Sequence, residues 1–560
     1  MTLKIKNMKA IVALLLILIS NNLLQAQDRL SGRSFATRSE VLARNGMAAT
    51  NHPLATQIAI ETLKNGGSAV DAAIAANAFL GFADPGNNGI GGDLFAIVWD
   101  EKTQQLYGLN ASGKSPANLS YETFKAEIDA GKSYSRGPLS VTTPGAVGGW
   151  FALHEKFGSL EFRDLLQPAI SYAREGIPVS SEVSDNFSTV RLGPGNPSFE
   201  GTYFTSEGRL PRIGEIFRNP DLANTLEIIA NKGRDGYYTG KVAQAIADQM
   251  KAEGGYLTME DLANNEPEWV DPVSINYRGY DVWEMPPNGQ GMAALQMLNI
   301  LKGFDIASMG YGSTAHVHTF LEAKKLAYAD MKKYYGDPNF GNIPLSSLLS
   351  EDYAAERRKL IDPDNAGAFE EGLTSGDHTI YLTVADGNGN MVSLIQSNSA
   401  LFGSRVVPEG LGFVLQNRGA GFILEEGHIN NYAPGKRPFH TIIPAFVTKD
   451  NKPFMSFGLM GGDMQTQGHT QIIMNIIDFK MNLQEAGDAP RIYHRDENLT
   501  SGGTYLESGY DYETIRDLMV KGHTLRMGKG IFGGYQAIMF KNGVYYGASE
   551  SRKDGQAAGY

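Results

Sequence analysis

The sequence predicts a mixed α/β fold, and three observations predict it. Helical apolar spacing recurs along the chain, strand-like alternation recurs between the helical stretches, and no internal repeat or low-complexity linker interrupts them. The chain has 560 residues, enough for one large or several ordinary domains, and no clean midpoint boundary divides it. Apolar residues make up 42%, ample for a buried core, which excludes wholesale disorder.

The elements follow in order. Lys4, Lys6 and Lys9 precede an apolar run from Ile11 to Ile19 and a small-residue end at Ala26, which reads residues 1–26 as a cleaved secretory signal. The competing reading is a membrane anchor, but the run falls short of the roughly 20 residues a spanning helix needs. Leu54, Ile58 and Leu63 hold helical spacing before the stop Asn65-Gly66-Gly67, and Ser68 caps an Ala-rich helix over 70–80. A glycine-rich loop over 85–92 leads into a strand over 94–99. Helices are expected at 149–175, 240–252, 314–334 and about 469–485. Strand pairs are expected at 272–284 and 534–548. Residues 362–378 are polar and weakly periodic, an exposed loop. This loop delivers the chain onto Thr379, the first residue of an alternating strand over 379–385. Asp386-Gly387-Asn388-Gly389 then turns into a return strand over 391–395.

Composition removes several functions. Lys and Arg total 49 against 61 acids, a net charge of −12 that argues against an extended nucleic-acid footprint. The absence of Cys excludes disulfides, thiolate metal sites and a sulfur nucleophile. Gly528-Lys529-Gly530-Ile531-Phe532-Gly533 matches a dinucleotide pattern, but a strand follows where a helix is required, so it reads as a loop. His316 and His318 sit two apart in a helical pattern, on different faces, and no metal or cofactor is expected.

What remains is a terminal nucleophile. A backbone break between His378 and Thr379 would put a hydroxyl and an α-amine on one residue. An α-amine ordinarily titrates at about 7.7–8.0, so much of it is neutral near physiological pH and can act as the base. The chemistry also needs backbone N–H donors for the oxyanion, which the Gly461-Gly462 turn could supply. Spacing alone does not choose this over an ordinary strand start and a glycine turn.

Ordered blocks along the chain add to this reading. They are Asn87-Asn88-Gly89-Ile90-Gly91-Gly92-Asp93, Thr143-Pro144-Gly145, Gly376-Asp377-His378-Thr379, Lys436-Arg437-Pro438, Met460-Gly461-Gly462, Asp488-Ala489-Pro490-Arg491 and Ala558-Gly559-Tyr560. In these blocks the chain resembles the γ-glutamyltranspeptidase (glutathione hydrolase) family. The resemblance implies an exported proenzyme with the αββα sandwich of the N-terminal nucleophile hydrolases, periplasmic or secreted. It also implies a cut into a large subunit, 27–378, and a small subunit, 379–560, that stay together as a heterodimer. Thr379 would be nucleophile and base, Gly461 and Gly462 would hold the oxyanion, and Ser397 stands where a supporting threonine is usual. Ser399 stands where an asparagine contacts the substrate.

The departures concern the substrate. Ser112 occupies the place of the family's carboxylate-binding arginine, with Lys114 two residues on, and Gly421 occupies that of its ammonium-binding aspartate. His440-Thr441 replaces a pair of serines. These features resemble the branch with cephalosporin-acylase-like members. Lys114 and Arg418 would favour a carboxylate; the alternative for Arg418 is a surface or structural ion pair, for Lys114 a residue with no substrate role, and for His440 a packed loop residue. Three readings follow: an amidase for γ-glutamyl amides such as glutathione, hydrolysing or transferring the acyl group; an acylase for glutaryl-like acyl amides; and an inactive exported binding protein.

Overall fold

The computed structural model describes residues 33–191, 196–368, 378–496 and 502–560. The expected signal segment and much of the loop expected over 362–378 lie outside the described residues. Two seven-stranded sheets, antiparallel throughout, form the centre. The first runs from edge to edge as Gln556–Gly559, Met47–Thr50, His378–Ala385, Met391–Ser399, Asp93–Asp100, Gln105–Ala111 and Glu268–Val270. The second runs Val41–Ala43, Val544–Ser549, Gly534–Lys541, Lys452–Met460, Ala445–Lys449, Tyr280–Glu284 and Val273–Tyr277. Each sheet therefore mixes strands from before and after position 379.

Strand periodicity sorts the side chains between layers. Phe95, Ile97 and Trp99 face the core between the sheets, where they meet Ile442, Phe446 and Ile538 of the other side. Their neighbours Leu94, Ala96 and Val98 face outward into a helical layer. A strand covered on both faces reads as a continuous apolar run, as 94–99 does. Helices Pro53–Lys64, Ala69–Ala83 and Ala146–Phe157 cover the first sheet, and Gly291–Leu301, Thr314–Tyr334 and Met464–Ile477 cover the second. The architecture is the αββα sandwich of the N-terminal nucleophile hydrolases.

Local chemistry sets the ends. Ser68 and Asp71 form a reciprocal capping box on helix Ala69–Ala83, each side chain satisfying an otherwise orphan amide. Tyr277 and Tyr280 pair across Arg278 and Gly279, both at positive φ, a tight turn joining two strands. Two helical expectations are corrected. The stretch 149–175 divides into Ala146–Phe157, Phe162–Leu165 and Gln167–Glu175, with a break at Gly158 and a proline early in the last helix. The helix expected over 469–485 begins earlier, at Met464, and stops at Ile477. Lys480 then takes a left-handed φ of 55°, and Asn482 opens a second helix, Leu483–Asp488, with its own capping box.

Candidate active site

Thr379 lies in the strand His378–Ala385, near the middle of the first sheet, and is buried. The pairing jumps from His378↔Ser399 to Ile380↔Gln396, so two residues, Ser397 and Asn398, oppose Thr379. Such a bulge re-aims side chains locally. It brings the Thr379 hydroxyl to 3.4 Å from Ser397 Oγ, to which it donates. Ser397 Oγ also accepts from the Ser399 amide at 2.8 Å, and Ser399 itself is held at φ 74°. The Gly91-Gly92 turn packs behind this strand pair. A Cβ on Gly92 would stand 2.5 Å from the Ser397 carbonyl oxygen, so only glycine lets the loop approach.

Strand Lys452–Met460 ends beside Thr379, and Gly461-Gly462 turns the chain into helix Met464–Ile477. Gly461 (φ 120°) and Gly462 (φ 54°) adopt backbone conformations that L side chains avoid. A Cβ on Gly461 would also meet Gly533 Cα at 2.9 Å. Their carbonyls accept from the Met464 and Gln465 amides at 3.0 and 3.1 Å. Among the described residues their own amides have no acceptor, and they sit at the positive end of the helix. Gln290, fully buried, donates to both the Gly462 carbonyl (2.9 Å) and the Thr441 carbonyl (2.6 Å), tying the turn to the next layer.

Thr379 and Gly461 line one cleft of about 470 Å³. Helix Ser181–Thr189 supplies one wall through Glu182, Asp185, Asn186, Ser188 and Thr189, and the loop 529–533 with Lys553 supplies the other. Lys553 and Glu182 are ion-paired across it, and Asp554 accepts from the Glu182 amide at 2.9 Å in the first turn of that helix. Burial opposes the Lys553 charge, yet Glu182, Glu550 and Asp84 together outweigh it and its pKa is raised. Beneath them, burial and the Glu182 charge push Asp84 up to about 7, while Asn87 donates to both its oxygens.

A second polar group lies deeper, on the other side of Ser397. Asp93 pairs with Ser397 in strand register. Around its Oδ2 stand Arg418 Nε at 3.6 Å and His440 Nε2 at 3.7 Å, both too far for hydrogen bonds. Arg418 Nη1 donates to Thr441 Oγ at 3.2 Å, while Nε and Nη2 have no partner among the described residues; the same holds for both ring nitrogens of His440 and for Asp93 Oδ2. Burial pushes Asp93 up to about 7 against the Arg418 charge and the Gly113 and Gly145 amides. Burial also pulls Arg418 down to about 10, Asp93 opposing. Burial, with the Arg418 and Arg437 charges, holds His440 far below the ordinary histidine range, hence neutral.

The expected site residues thus fall into three places. Thr379, Ser397, Gly461 and Gly462 are together, with Ser399 close by at the end of the same strand as Ser397. Arg418, His440 and Thr441 are together around Asp93, which sequence reasoning missed, although it ends the block 87–93. Lys114 is apart from both: it is exposed and lines a depression with Thr258 and Asp261. Gln290, Lys529 and Asp185 were also missed. The only signal for Lys529 is the glycine-flanked run 528–533, which reads as a plain loop.

Residues 55–560 match the model of the family described as Gamma-glutamyltranspeptidase. The chain belongs to that family. Among curated relatives it is 36% identical to the glutathione hydrolase-like YwrD proenzyme of Bacillus subtilis (strain 168), over 93% of this chain and 99% of the relative. It is also 36% identical to the acylase ACY 1 proenzyme of Pseudomonas sp. (strain SE83), over 91% of this chain and 92% of that one. Among solved structures, the cephalosporin acylase from Bacillus halodurans matches with a TM-score of 0.87 and 42% identity, covering 96% of this chain and 98% of the other. Family membership makes the chain an enzyme of the hydrolase class; the acyl group is a separate matter. Among the described residues no helix is long and apolar enough to cross a membrane.

Proposed function

We propose that the chain is an exported, self-processing amidase that uses Thr379 as an N-terminal nucleophile, and that its acyl donors end in a carboxylate. The reading is carried by the shared cleft of Thr379 and Gly461, with Ser397 in hydrogen-bond reach of the hydroxyl. In processing, Thr379 Oγ attacks the His378 carbonyl carbon and the peptide C–N bond breaks, the hydroxyl proton ending on the nitrogen, which frees the amine. Water then hydrolyses the resulting ester, which frees the Thr379 hydroxyl and leaves His378 with a carboxylate. In turnover, the amine takes the hydroxyl proton as Oγ attacks the substrate amide. The Gly461 and Gly462 amides stabilise the oxyanion. The proton passes to the leaving amine, and water then releases the acid from the Thr379 ester.

Two positions support a carboxylate-ended rather than an amino-acid acyl group. A Cβ on Gly421 would lie 2.9 Å from the Phe439 carbonyl oxygen, so an aspartate there needs the backbone to move. Ser112 is buried and engaged with Asn110 at 2.6 Å, so it offers no cation. A substrate ammonium left without an anion would cost several kcal/mol. Arg418, whose Nε and Nη2 have no partner among the described residues and whose Nη1 reaches Thr441, is the carboxylate partner in this reading. The second reading, γ-glutamyl amides such as glutathione, is favoured by the name of the Bacillus subtilis relative.

A denaturing gel with N-terminal sequencing tests the processing: two chains are expected, the smaller beginning Thr-Ile-Tyr-Leu. A single intact active polypeptide overturns the reading. Comparing kcat/KM for glutaryl and γ-glutamyl anilides separates the two acyl groups.

A further inference from the structure

The cleft above Thr379 has an electrical direction that recognition of the acyl group leaves unused. Two of its charges cancel, since Lys553 and Glu182 are ion-paired. Two do not. Lys529 projects from the glycine-flanked loop on one wall, is exposed, and has no ion-pair partner among the described residues. Asp185 stands on the facing wall, in helix Ser181–Thr189, exposed and likewise without a cation among the described residues. The rest of that wall, Asn186, Ser188 and Thr189, is polar and uncharged.

We propose that Lys529 and Asp185 select the leaving amine: Lys529 binds a carboxylate carried by that amine, and Asp185 repels it from the opposite wall. This rests on Thr379 being the nucleophile. The acyl carboxylate has its own partner in the buried Arg418 group, on the far side of Ser397. The open cleft, with Thr379 and Gly461 among its lining residues, is then the side on which the departing amine lies. An amine bearing a carboxylate gains from one wall and is pushed from the other, so it is oriented as well as bound. A neutral amine feels neither. The Gly-Lys-Gly sequence suits the role, because Gly530 at φ 75° turns the loop sharply and neither flanking residue has a side chain to crowd the ammonium.

The test uses two substrates with one acyl group: a 4-nitroanilide and a 3-carboxy-4-nitroanilide. The readout is the ratio of kcat/KM, carboxylated over neutral, in the full processed enzyme. Lys529→Ala should lower the ratio about threefold and Lys529→Glu about tenfold, while Asp185→Asn should raise it about twofold, the scale of partly exposed ion pairs. Raising the salt concentration should shrink all three effects. A ratio in Lys529→Glu within about twofold of the wild type overturns the proposal. Calorimetric binding of the two free anilines to each variant gives the same comparison without turnover, and equal binding loss for both compounds also overturns it. Thr379→Ala separates this from the parent reading: if that variant still hydrolyses both anilides, the nucleophile assignment fails, whatever the ratio does.

Discussion

Two buried polar clusters in this molecule share a composition and differ in how their atoms are used. In one, His318 Nε2 donates to the Asp362 carbonyl at 2.7 Å and Nδ1 meets His523 Nε2 at 2.8 Å. Lys325 neutralises Glu322 at 3.0 Å, and Glu322 accepts the Gly367 amide at 2.8 Å. These residues have metal-ligand composition, but most of their lone pairs and protons are already committed to one another and to nearby backbone. In the other, Asp93, Arg418 and His440 face each other across 3.6–3.7 Å with five polar atoms unpartnered among the described residues. Buried polar atoms without partners are rare because each costs about 1–3 kcal/mol. The closed cluster holds the chain segment that approaches position 379; the open one keeps donors in reserve.

The contrast can be broken or sharpened by substitution. The largest effect is expected for Thr379→Ala, which removes the nucleophile of the proposed reaction: one unprocessed chain on a gel and activity down by at least about a thousandfold. Arg418→Ala should lower kcat/KM for carboxylate-ended acyl amides about a hundredfold, the worth of a charge-assisted bond pair. Its stability loss should be small, because Asp93 can take up a proton once its counter-charge is gone. The closed cluster should behave oppositely. Glu322→Ala strands the Lys325 ammonium and should cost about 3 kcal/mol in denaturant unfolding. The kcat/KM of its folded fraction should change by less than about twofold.

Asp93 adds a pH signature. Its folded pKa, about 7, lies above the ordinary value of 3.8, so between these the folded chain holds a proton that the unfolded chain has lost. Stability from this group is full below about pH 4 and declines as pH rises to about 7. Asp93→Asn should flatten that decline, read as thermal midpoints at several pH values; an unchanged slope would mean that the Asp93 carboxyl is not raised. Lys114→Ala is the smallest, a change in kcat/KM of less than about twofold, because the side chain lines another depression.

Much of this architecture is legible in the sequence. Ser68 before an apolar run, Asp386-Gly387 between two alternating stretches and the apolar run 94–99 each carry a local signal, and each forms the expected cap, hairpin or strand. The Thr379 and Gly461-Gly462 pairing is legible only through resemblance, since a hydroxyl at a strand head is commonplace. Asp93 is illegible as a charge centre because its role depends on Arg418 and His440, more than 300 residues away in sequence. The short break at Lys480 is illegible too, as apolar spacing continues across it. Lys529 is visible between its glycines, but the pattern around it belongs to a different chemistry.

The order of strands has one more consequence. In the first sheet Met47–Thr50 lies between Gln556–Gly559 and His378–Ala385, so a strand from ahead of position 379 is clasped on both sides by strands from behind it. A cut at that position leaves the pieces woven together by ladders of hydrogen bonds, like threads that stay in cloth after one is snipped. Fresh chain ends can then arise deep inside the protein without loosening it, and dilution alone would not separate the halves.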